Sequence, residues 1–329
     1  MENTRFQPLD YPIAFTVPRH VDGQAWVEHI PFAMALVQMV QPRVLVELGV
    51  FTGDSLLAFC QAVEQLKLGT TCYGVDTWEG DPHGGVFGHE VLSALRRKHD
   101  PAYSGFSTLL QSTFDAAVKH FADGSIDLLH IDGYHTYEAV RHDFETWQSK
   151  LSPRAVVLFH DINVRQRDFG VWRFWDEIAP KYPSMAFQHG HGLGVLAVGP
   201  EVPEPLLRFV QQDEAELDRI REFFYALGSR VHGLALNRQQ EGHIRVLESQ
   251  LQAGRDEVAS WQSRYLHDTT NIKRVGDDTA AVLNGQIQAH LRRIAELETS
   301  MRAILDSKSF RLGMMATAPL RGLLDWRSR

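Results

Sequence analysis

The feature that most limits the possible folds is the alternation of short apolar runs with amphipathic stretches between residues 43 and 198. Arg43–Leu48 (RVLVEL), Thr71–Asp76 (TCYGVD), Phe106–Gln111 (FSTLLQ), Ile126–Asp132 (IDLLHID) and Ala155–His160 (AVVLFH) have the length and apolar content of buried strands. Between them, Ser55–Leu66, Glu90–His99, Phe114–Phe121 and Tyr137–Lys150 space their apolar residues as helices do. Strand and helix in alternation predict an α/β unit, a parallel sheet covered on both faces. Two further strand-like runs, Met185–His189 and Gly192–Val198, flank Gly190 and His191 and predict a closing hairpin. One more helix is expected around Val171–Tyr182, just before that hairpin. Length adds little, since 329 residues leave room for two ordinary domains.

Past Val198–Pro205 (VGPEVPEP) the periodicity becomes purely helical. Ile244, Leu247, Leu251, Val258, Trp261 and Tyr265 fall on heptad a and d positions. So do Ile287, Ile294, Leu297, Met301 and Ile304, with His290 at one d position. The two runs are out of register, and an interruption is expected near Gly276 and Gly285. Such a seam needs a partner, either a second copy in a coiled coil or the other half of an intramolecular hairpin. From residue 307 the chain reads SKSFRLGMMATAPLRGLLDWRSR, where basic residues mix with Phe310, Met and Trp326. That composition suits an anionic membrane surface, and a frayed end accounts for it equally well. The expected organisation is therefore an N-terminal segment over 1–24, an α/β domain over 25–200, a helical region over 201–306 and a basic amphipathic tail over 307–329.

Charge and cysteine content narrow the function. The net charge of −8 lies wholly in the first 200 residues, because the remainder is balanced. An acidic globular half argues against a nucleic-acid surface, which needs clustered Lys and Arg. Twelve of the sixteen histidines lie in that half, which raises the prospect of metal or proton chemistry. Residues 1–20 have neither a basic nor an apolar signal region, and no run is long enough to span a bilayer. Cys60 and Cys72 cannot make a disulfide framework, so buried free thiols in the cytoplasm are expected.

The strongest local motif is Glu47-Leu48-Gly49-Val50-Phe51-Thr52-Gly53-Asp54-Ser55, which ends the first strand and opens a helix. Glycines there let backbone approach a ligand, and the helix start offers free N–H groups. The motif has no Gly-Lys-Ser/Thr and no full G-x-G-x-x-G, so it is neither a Walker loop nor a dinucleotide fingerprint. Asp76 ends the second strand, where a carboxylate can accept both ribose hydroxyls. A turn or cap role suits the same residue. A third motif, His130-Ile131-Asp132-Gly133-Tyr134-His135, ends the fourth strand, and His160-Asp161 ends the fifth. Asp132, Asp161 and His160 can converge on one divalent ion, hard oxygens suiting Mg²⁺ or Mn²⁺. His135 is then the natural general base. Alternatively, Asp132 and His135 cap the helix that begins near Tyr137.

Taken together, Glu47-x-Gly49-x-x-x-Gly53, Asp76 and the seven strand-like runs resemble a class I S-adenosylmethionine-dependent methyltransferase over roughly residues 25–200. The resemblance implies a Rossmann-like sheet of order 3-2-1-4-5-7-6 with S-adenosylmethionine across its first strand ends. It implies that Glu47, Gly49, Thr52, Gly53 and Ser55 surround the methionine part, that Asp76 holds the ribose, and that Ser112 and Thr113 lie near the adenine. Phe51 stands where many relatives have a glycine; the E-x-G-x-x-x-G-x-S form is common in metal-dependent O-methyltransferases. Asp132, His135 and the His160-Asp161 pair resemble the branch of macrocin-type sugar O-methyltransferases and cephalosporin-hydroxylase-like proteins. There an acidic pair follows the fifth strand, and here His160 replaces its first acid. Ser307-x-Ser309-Phe310-Arg311 followed by Pro319-Leu320-Arg321 is similar to a segment of bacterial surface-polysaccharide proteins. These resemblances imply a methyltransferase of a sugar hydroxyl in polysaccharide biosynthesis, cytoplasmic or peripheral at the inner membrane face. A homo-oligomer through the coiled coil, docked to a glycosyltransferase or assembly complex, is the implied setting. A phenolic or antibiotic acceptor, or a catalytically silent scaffold, remains as the alternative.

Overall fold

The computed structural model describes residues 5–23, 25–271 and 277–307. The chain divides into two compact units, Met1–His232 and Gly233–Arg329. In the first unit seven strands form one sheet: β1 (Val44–Leu48), β2 (Thr71–Asp76), β3 (Ser107–Gln111), β4 (Ile126–Ile131), β5 (Leu151–His160), β6 (Ser184–Phe187) and β7 (Leu193–Ala197). Their order is β3-β2-β1-β4-β5-β7-β6. β1 to β5 pair in parallel, and β7 is antiparallel to both β5 and β6. This is the Rossmann-like sheet order that the methyltransferase resemblance implies.

Burial explains the strand sequences. β1 (VLVEL) is buried at every position but its first, Glu47 included, as expected for a strand covered on both faces. Val46 and Leu48 face a cluster built with Phe144, Trp147, Phe174 and Trp175, from helices α5 (Tyr137–Trp147) and α6 (Val171–Ile178). Glu47 points the other way, to Ser55 of α2 (Asp54–Gln65). Helix α1 (Ile30–Val40, IPFAMALVQMV) has no counterpart in the sequence expectations, because ten of its eleven residues are buried and no polar face marks a period. Helix α3 (His89–Tyr103) follows β2, and a short helix α4 (Phe114–Ala117) follows β3.

The closing hairpin differs from the expected two-residue turn. Residues 188–192 connect β6 and β7, and Gly190, His191 and Gly192 all have positive φ (54°, 67° and 88°). The first unit also runs past residue 200. Helix α7 (Glu204–Val210) and the opening turns of α8 (Glu214–Asn271) carry Phe209 and Phe224. Both pack on Phe32 of α1, at 5.6 and 5.4 Å, and Phe224 also meets Phe187 of β6 at 5.8 Å.

In the second unit the rest of α8 pairs with α9 (Asp277–Asp306). Leu247, Leu251 and Leu297 are buried together, with Ile294, Met301 and Ile304 packed against them. Arg255 donates to Glu298 at 2.9 Å, and His290 lies 3.2 Å from Glu257. Residues rising along α8 thus meet residues falling along α9, so the heptad seam is met within the chain by an antiparallel partner. The expected interruption does not include Gly285, which lies inside α9; Gly276 is outside the described residues. The basic tail with Ser309, Phe310, Arg311, Pro319, Leu320, Arg321 and Trp326 is also outside them. Among the described residues no helix is long and apolar enough to cross a membrane.

Candidate active site at the strand switch point

Strand order reverses at β1, whose neighbours β2 and β4 lead to opposite edges of the sheet. Open α/β sheets leave their ligand crevice at that point, outside the carboxyl ends of the strands. A cavity of about 670 Å³ lies there, with Gly49–Thr52 on one side and Asp132–His135 on another. The two sides touch. Asp132 donates its N–H to the Leu48 carbonyl at 2.8 Å, and Gly49 donates to Val75 at 2.9 Å. Gly49 has φ +87°, and a Cβ there would lie 1.9 Å from the Asp132 carbonyl oxygen. Only glycine allows the ends of β1 and β4 to meet this closely.

Of the residues expected to hold a cofactor, Gly49, Thr52, Ser55, Asp76 and Thr113 line the cavity. Asp76 is already occupied by the chain. Its Oδ2 accepts the N–H groups of Val50 and Phe51 at 2.8 and 2.9 Å, and its Oδ1 accepts that of Trp78 at 2.7 Å. The carboxylate therefore fastens the loop after β1. Gly53, with φ +90°, starts α2 just outside the lining. Thr113 caps α4 by accepting from the Ala116 N–H, and the Ser112 hydroxyl donates to the Thr113 carbonyl, away from the cavity lining.

Glu47 departs most from expectation. It is fully buried and outside the cavity lining. Ser55 Oγ donates to its Oε1 at 2.5 Å, and His130 Nδ1 lies 3.5 Å from its Oε2. Trp26 Nε1, a donor only, bonds His130 Nε2 at 3.1 Å, so Nδ1 is the nitrogen left to carry the proton toward Glu47. Burial pushes the Glu47 carboxyl up, against the contrary pull of His130 and Ser55. Glu47 thus orients Ser55 from beneath instead of flanking a ligand.

On the other wall Asp132 and Asp161 come together, and His135, expected as the base, joins them in the place expected of His160. One ligand atom from each of Asp132, His135 and Asp161 lies within 4.8 Å of the others. His135 Nε2 is 2.9 Å from Asp161 Oδ2 and 3.6 Å from Asp132 Oδ1. His160 Nδ1 is 3.2 Å from Asp132 Oδ1 and 3.6 Å from Asp161 Oδ2. The other His160 nitrogen donates to the Gly190 carbonyl at 2.9 Å, which also accepts from His29 Nε2 at 3.0 Å. A ring whose far nitrogen is committed to a carbonyl presents the near one as a ligand. Asp161 has φ +60°, in the left-handed region that aspartate enters more readily than most non-glycine residues. His191, whose side chain is exposed, reaches Asp161 Oδ1 at 3.0 Å from the positive-φ turn.

Charge balance follows from these contacts. Burial works to raise Asp132 and Asp161, but the neighbouring His160 charge and the histidine hydrogen bonds outweigh it and hold both far below the usual carboxylate range. For His135, burial works downward and is outweighed by hydrogen bonds to Asp132 and Asp161, leaving it pushed up to about 9. The same carboxylates raise His160 against its burial. Two carboxylates facing two imidazoles suit a divalent cation: the oxygens are hard donors, and the imidazoles shift preference from Mg²⁺ toward Mn²⁺.

Sequence reasoning misses the aromatic lining. Trp26, Phe51, Phe87, Phe114, Tyr134 and Phe169 come from six separate segments and share no spacing. Trp172 and Trp175 of α6 are outside the lining. Trp175 packs against Phe159 and Gly194, while Trp172 carries Arg165 over its ring at 4.4 Å.

Residues 46–162 match the family described as a methyltransferase domain. The match runs from β1 through the residue after Asp161, so it contains both walls of the crevice. An uncharacterized protein, y4gI, from Sinorhizobium fredii is 45% identical over 227 residues, which cover 68% of this chain and 24% of that protein. The chain thus spans about a quarter of that relative's length. Among solved structures, SAH-bound PaMTH1 from Podospora anserina is 14% identical with TM-score 0.38, covering 51% of this chain and 76% of that one. A methyltransferase from Geobacter sulfurreducens is 16% identical with TM-score 0.39, covering 51% and 77%.

Proposed function

We propose that the methyltransferase domain transfers a methyl group from S-adenosylmethionine to a sugar hydroxyl, in the assembly of a bacterial surface glycan. The observation that carries this is the meeting of Asp132, His135 and Asp161 in the cavity walled on its other side by Gly49–Ser55 and Asp76. When bound, S-adenosylmethionine supplies an electrophilic methyl on sulfur, and a divalent cation lowers the pKa of the hydroxyl. The loop after β1, Ser55, Asp76 and Thr113 bind and orient the cofactor. Asp132 and Asp161, with His160 beside them, would hold Mg²⁺ or Mn²⁺. His135 Nε2 takes the proton of the attacking hydroxyl while the O–C bond forms and the S–C bond breaks, leaving S-adenosylhomocysteine. A glycosyltransferase or membrane-surface partner reached through the tail belongs to the same proposal.

The aromatic lining supports a second reading, a planar phenolic acceptor, since Phe51, Phe87, Tyr134 and Phe169 can stack on either ring type. A methyl-transfer assay offering glycans and catechols in parallel separates the two. Under either, His135→Ala should lower turnover about 10²–10⁴-fold and leave cofactor affinity nearly unchanged. Chelation should mimic Asp161→Ala. If chelation and His135→Ala are both harmless, the site is wrong; if the wild type does not bind S-adenosylmethionine in calorimetry, the function is wrong.

A further inference from the structure

Residues 161–170 form a loop closed at both ends on the acceptor side of the crevice. It leaves β5 at Asp161, whose carbonyl accepts the Val164 N–H at 3.2 Å, and returns where Gly170 donates to the His135 carbonyl at 2.8 Å. Phe169, beside that return, bridges to Thr136 and lines the cavity. Between the two ends the loop carries Arg165 and Arg167, both exposed. Each is fastened to the cavity wall. Arg165 lies over the Trp172 ring at 4.4 Å, and Trp172 Nε1 donates to the Phe169 carbonyl at 3.0 Å. Arg167 Nη1 reaches the carbonyl of His83 at 3.4 Å, and the His83 ring lines the cavity stacked on Phe169 at 4.4 Å. Arg167 also has φ +52°, an uncommon backbone for arginine.

The neighbouring acids are engaged elsewhere. Asp168 Oδ1 meets His83 Nε2 at 2.6 Å, and Asp81 Oδ1 accepts the N–H groups of His83 and Gly84, both at 2.6 Å. Among the described residues neither Arg165 nor Arg167 is ion-paired, whereas Arg173 of α6 lies over Tyr137 at 4.1 Å and 3.5 Å from Glu177. Two unpaired cations give this rim a local positive field within an acidic half, and such a field draws an anion. S-adenosylmethionine does not supply it, because the cofactor has no phosphate and its one carboxylate is on the methionine part, at the opposite wall. A guanidinium is a planar fork of donors matched to carboxylate or phosphate oxygens. One fork suffices for a carboxylate, while two on one loop suit the greater charge and extra oxygens of phosphate. We propose that Arg165 and Arg167 form an anion site at the acceptor end of the crevice, and that the acceptor is a phosphate-linked sugar held by its phosphate or diphosphate. Nucleotide-linked and lipid-linked sugars share that chemistry. The identity of the acceptor rests on the methyltransferase reading; the anion site does not.

The test is calorimetry of the full chain with pyrophosphate, without added metal so that the probe cannot bind through a cation. Wild type should bind, more weakly as salt rises from about 50 to 200 mM. Arg165→Gln and Arg167→Gly should each weaken binding about 3- to 10-fold, and the double variant more than about 10-fold. Arg173→Gln, the control, should leave it unchanged. No binding of millimolar pyrophosphate by the wild type, or undiminished binding by the folded double variant, overturns the proposal. Tighter binding of glucuronate than of pyrophosphate also overturns it, since the ligand would then be a carboxylate. UDP and geranyl diphosphate distinguish the sources. Tighter binding of UDP than of pyrophosphate marks a nucleotide-linked sugar, tighter binding of geranyl diphosphate marks a lipid-linked one, and either must weaken in the double variant for the proposal to stand. Calorimetry with S-adenosylmethionine runs alongside: absence of binding by the wild type sinks the methyltransferase reading and leaves the anion site standing.

Discussion

Replacing Gly49 by alanine tests the junction on which the whole site depends. The added Cβ would sit 1.9 Å from the Asp132 carbonyl oxygen, 2.6 Å from its carbon and 3.0 Å from Gly133 N. These are backbone atoms and cannot rotate away, so the ends of β1 and β4 must part by more than about an ångström to reach ordinary contact. Parting them strains the bonds from Asp132 N to Leu48 O and from Gly49 N to Val75 O. The left-handed backbone adds roughly 1–2 kcal/mol for any residue with a Cβ, and overpacking about 1–3 kcal/mol more. A loss of about 2–5 kcal/mol should appear in urea unfolding, with a fall in Tm on the order of 5–15 °C. Gly53→Ala is the internal control. It shares the positive φ, but its closest neighbour is the Leu95 methyl at 2.5 Å, the movable end of a side chain. Its cost should stay near the backbone contribution alone, about 1–2 kcal/mol. Because Asp132 moves with the junction, Gly49→Ala should also cost turnover far more than Gly53→Ala does, a 1 Å misplacement being worth roughly 10²-fold. Equal and mild effects of the two substitutions would refute the idea that Gly49 exists to let these strand ends touch.

Other perturbations follow from named contacts. Asp76→Ala removes the acceptor of three backbone N–H groups, so it should lower cofactor affinity about ten- to a hundred-fold and stability by roughly 1–3 kcal/mol together. Weaker binding at an unchanged Tm would remove the loop-fastening role. Asp127 is buried and accepts from Arg43 N, Nε and Nη2 and from Ser152 Oγ. Its burial is outweighed by those bonds and the Arg43 charge, and the carboxyl is pushed down to about 2. A depressed carboxyl stabilises above its ordinary value near 4 and loses that contribution as pH falls toward 2, roughly 2 kcal/mol in all. Asp127→Asn should flatten that acid limb in denaturant titrations, and an identical pH profile would contradict the account. A chain ending at His232 should fold, whereas one ending at Gly199 strips Phe209 and Phe224 from Phe32 and Phe187, a loss of roughly 3–6 kcal/mol measurable by calorimetry. Light scattering should give the 1–232 chain and the full chain the same oligomeric state, because the seam of Leu247, Leu251 and Leu297 is covered within one chain. A lower state for the shorter chain would restore the coiled-coil partner.

What the sequence reveals of this protein depends on whether a residue's role is set by its neighbours along the chain. The strands were legible because apolar runs between turn residues are local, and their alternation with helices implied a parallel sheet, while its strand order came from the methyltransferase resemblance. Asp132, His135 and Asp161 were legible as well, since strand ends in such a sheet face one crevice whatever the loops do. Helix α1 was not, because burial on all sides erases the contrast that makes a period visible. Glu47 shows a subtler failure. Its position in the motif was right, but the direction of its side chain depends on the pleat of β1, which turns it toward Ser55 and His130 and away from the cavity. His83, Phe169 and Asp168 lie beyond local inference altogether. Their meeting with His135 joins loops 52 and 85 residues apart in pairwise contact, and nothing in either loop marks the other. The seam of α8 and α9 is the intermediate case: heptads declare that a partner exists, but only the chain's path decides that the partner is itself. Local chemistry therefore locates the reacting groups, while the residues that orient them are supplied by tertiary contacts, and those contacts are where substitutions far from the motifs should be felt.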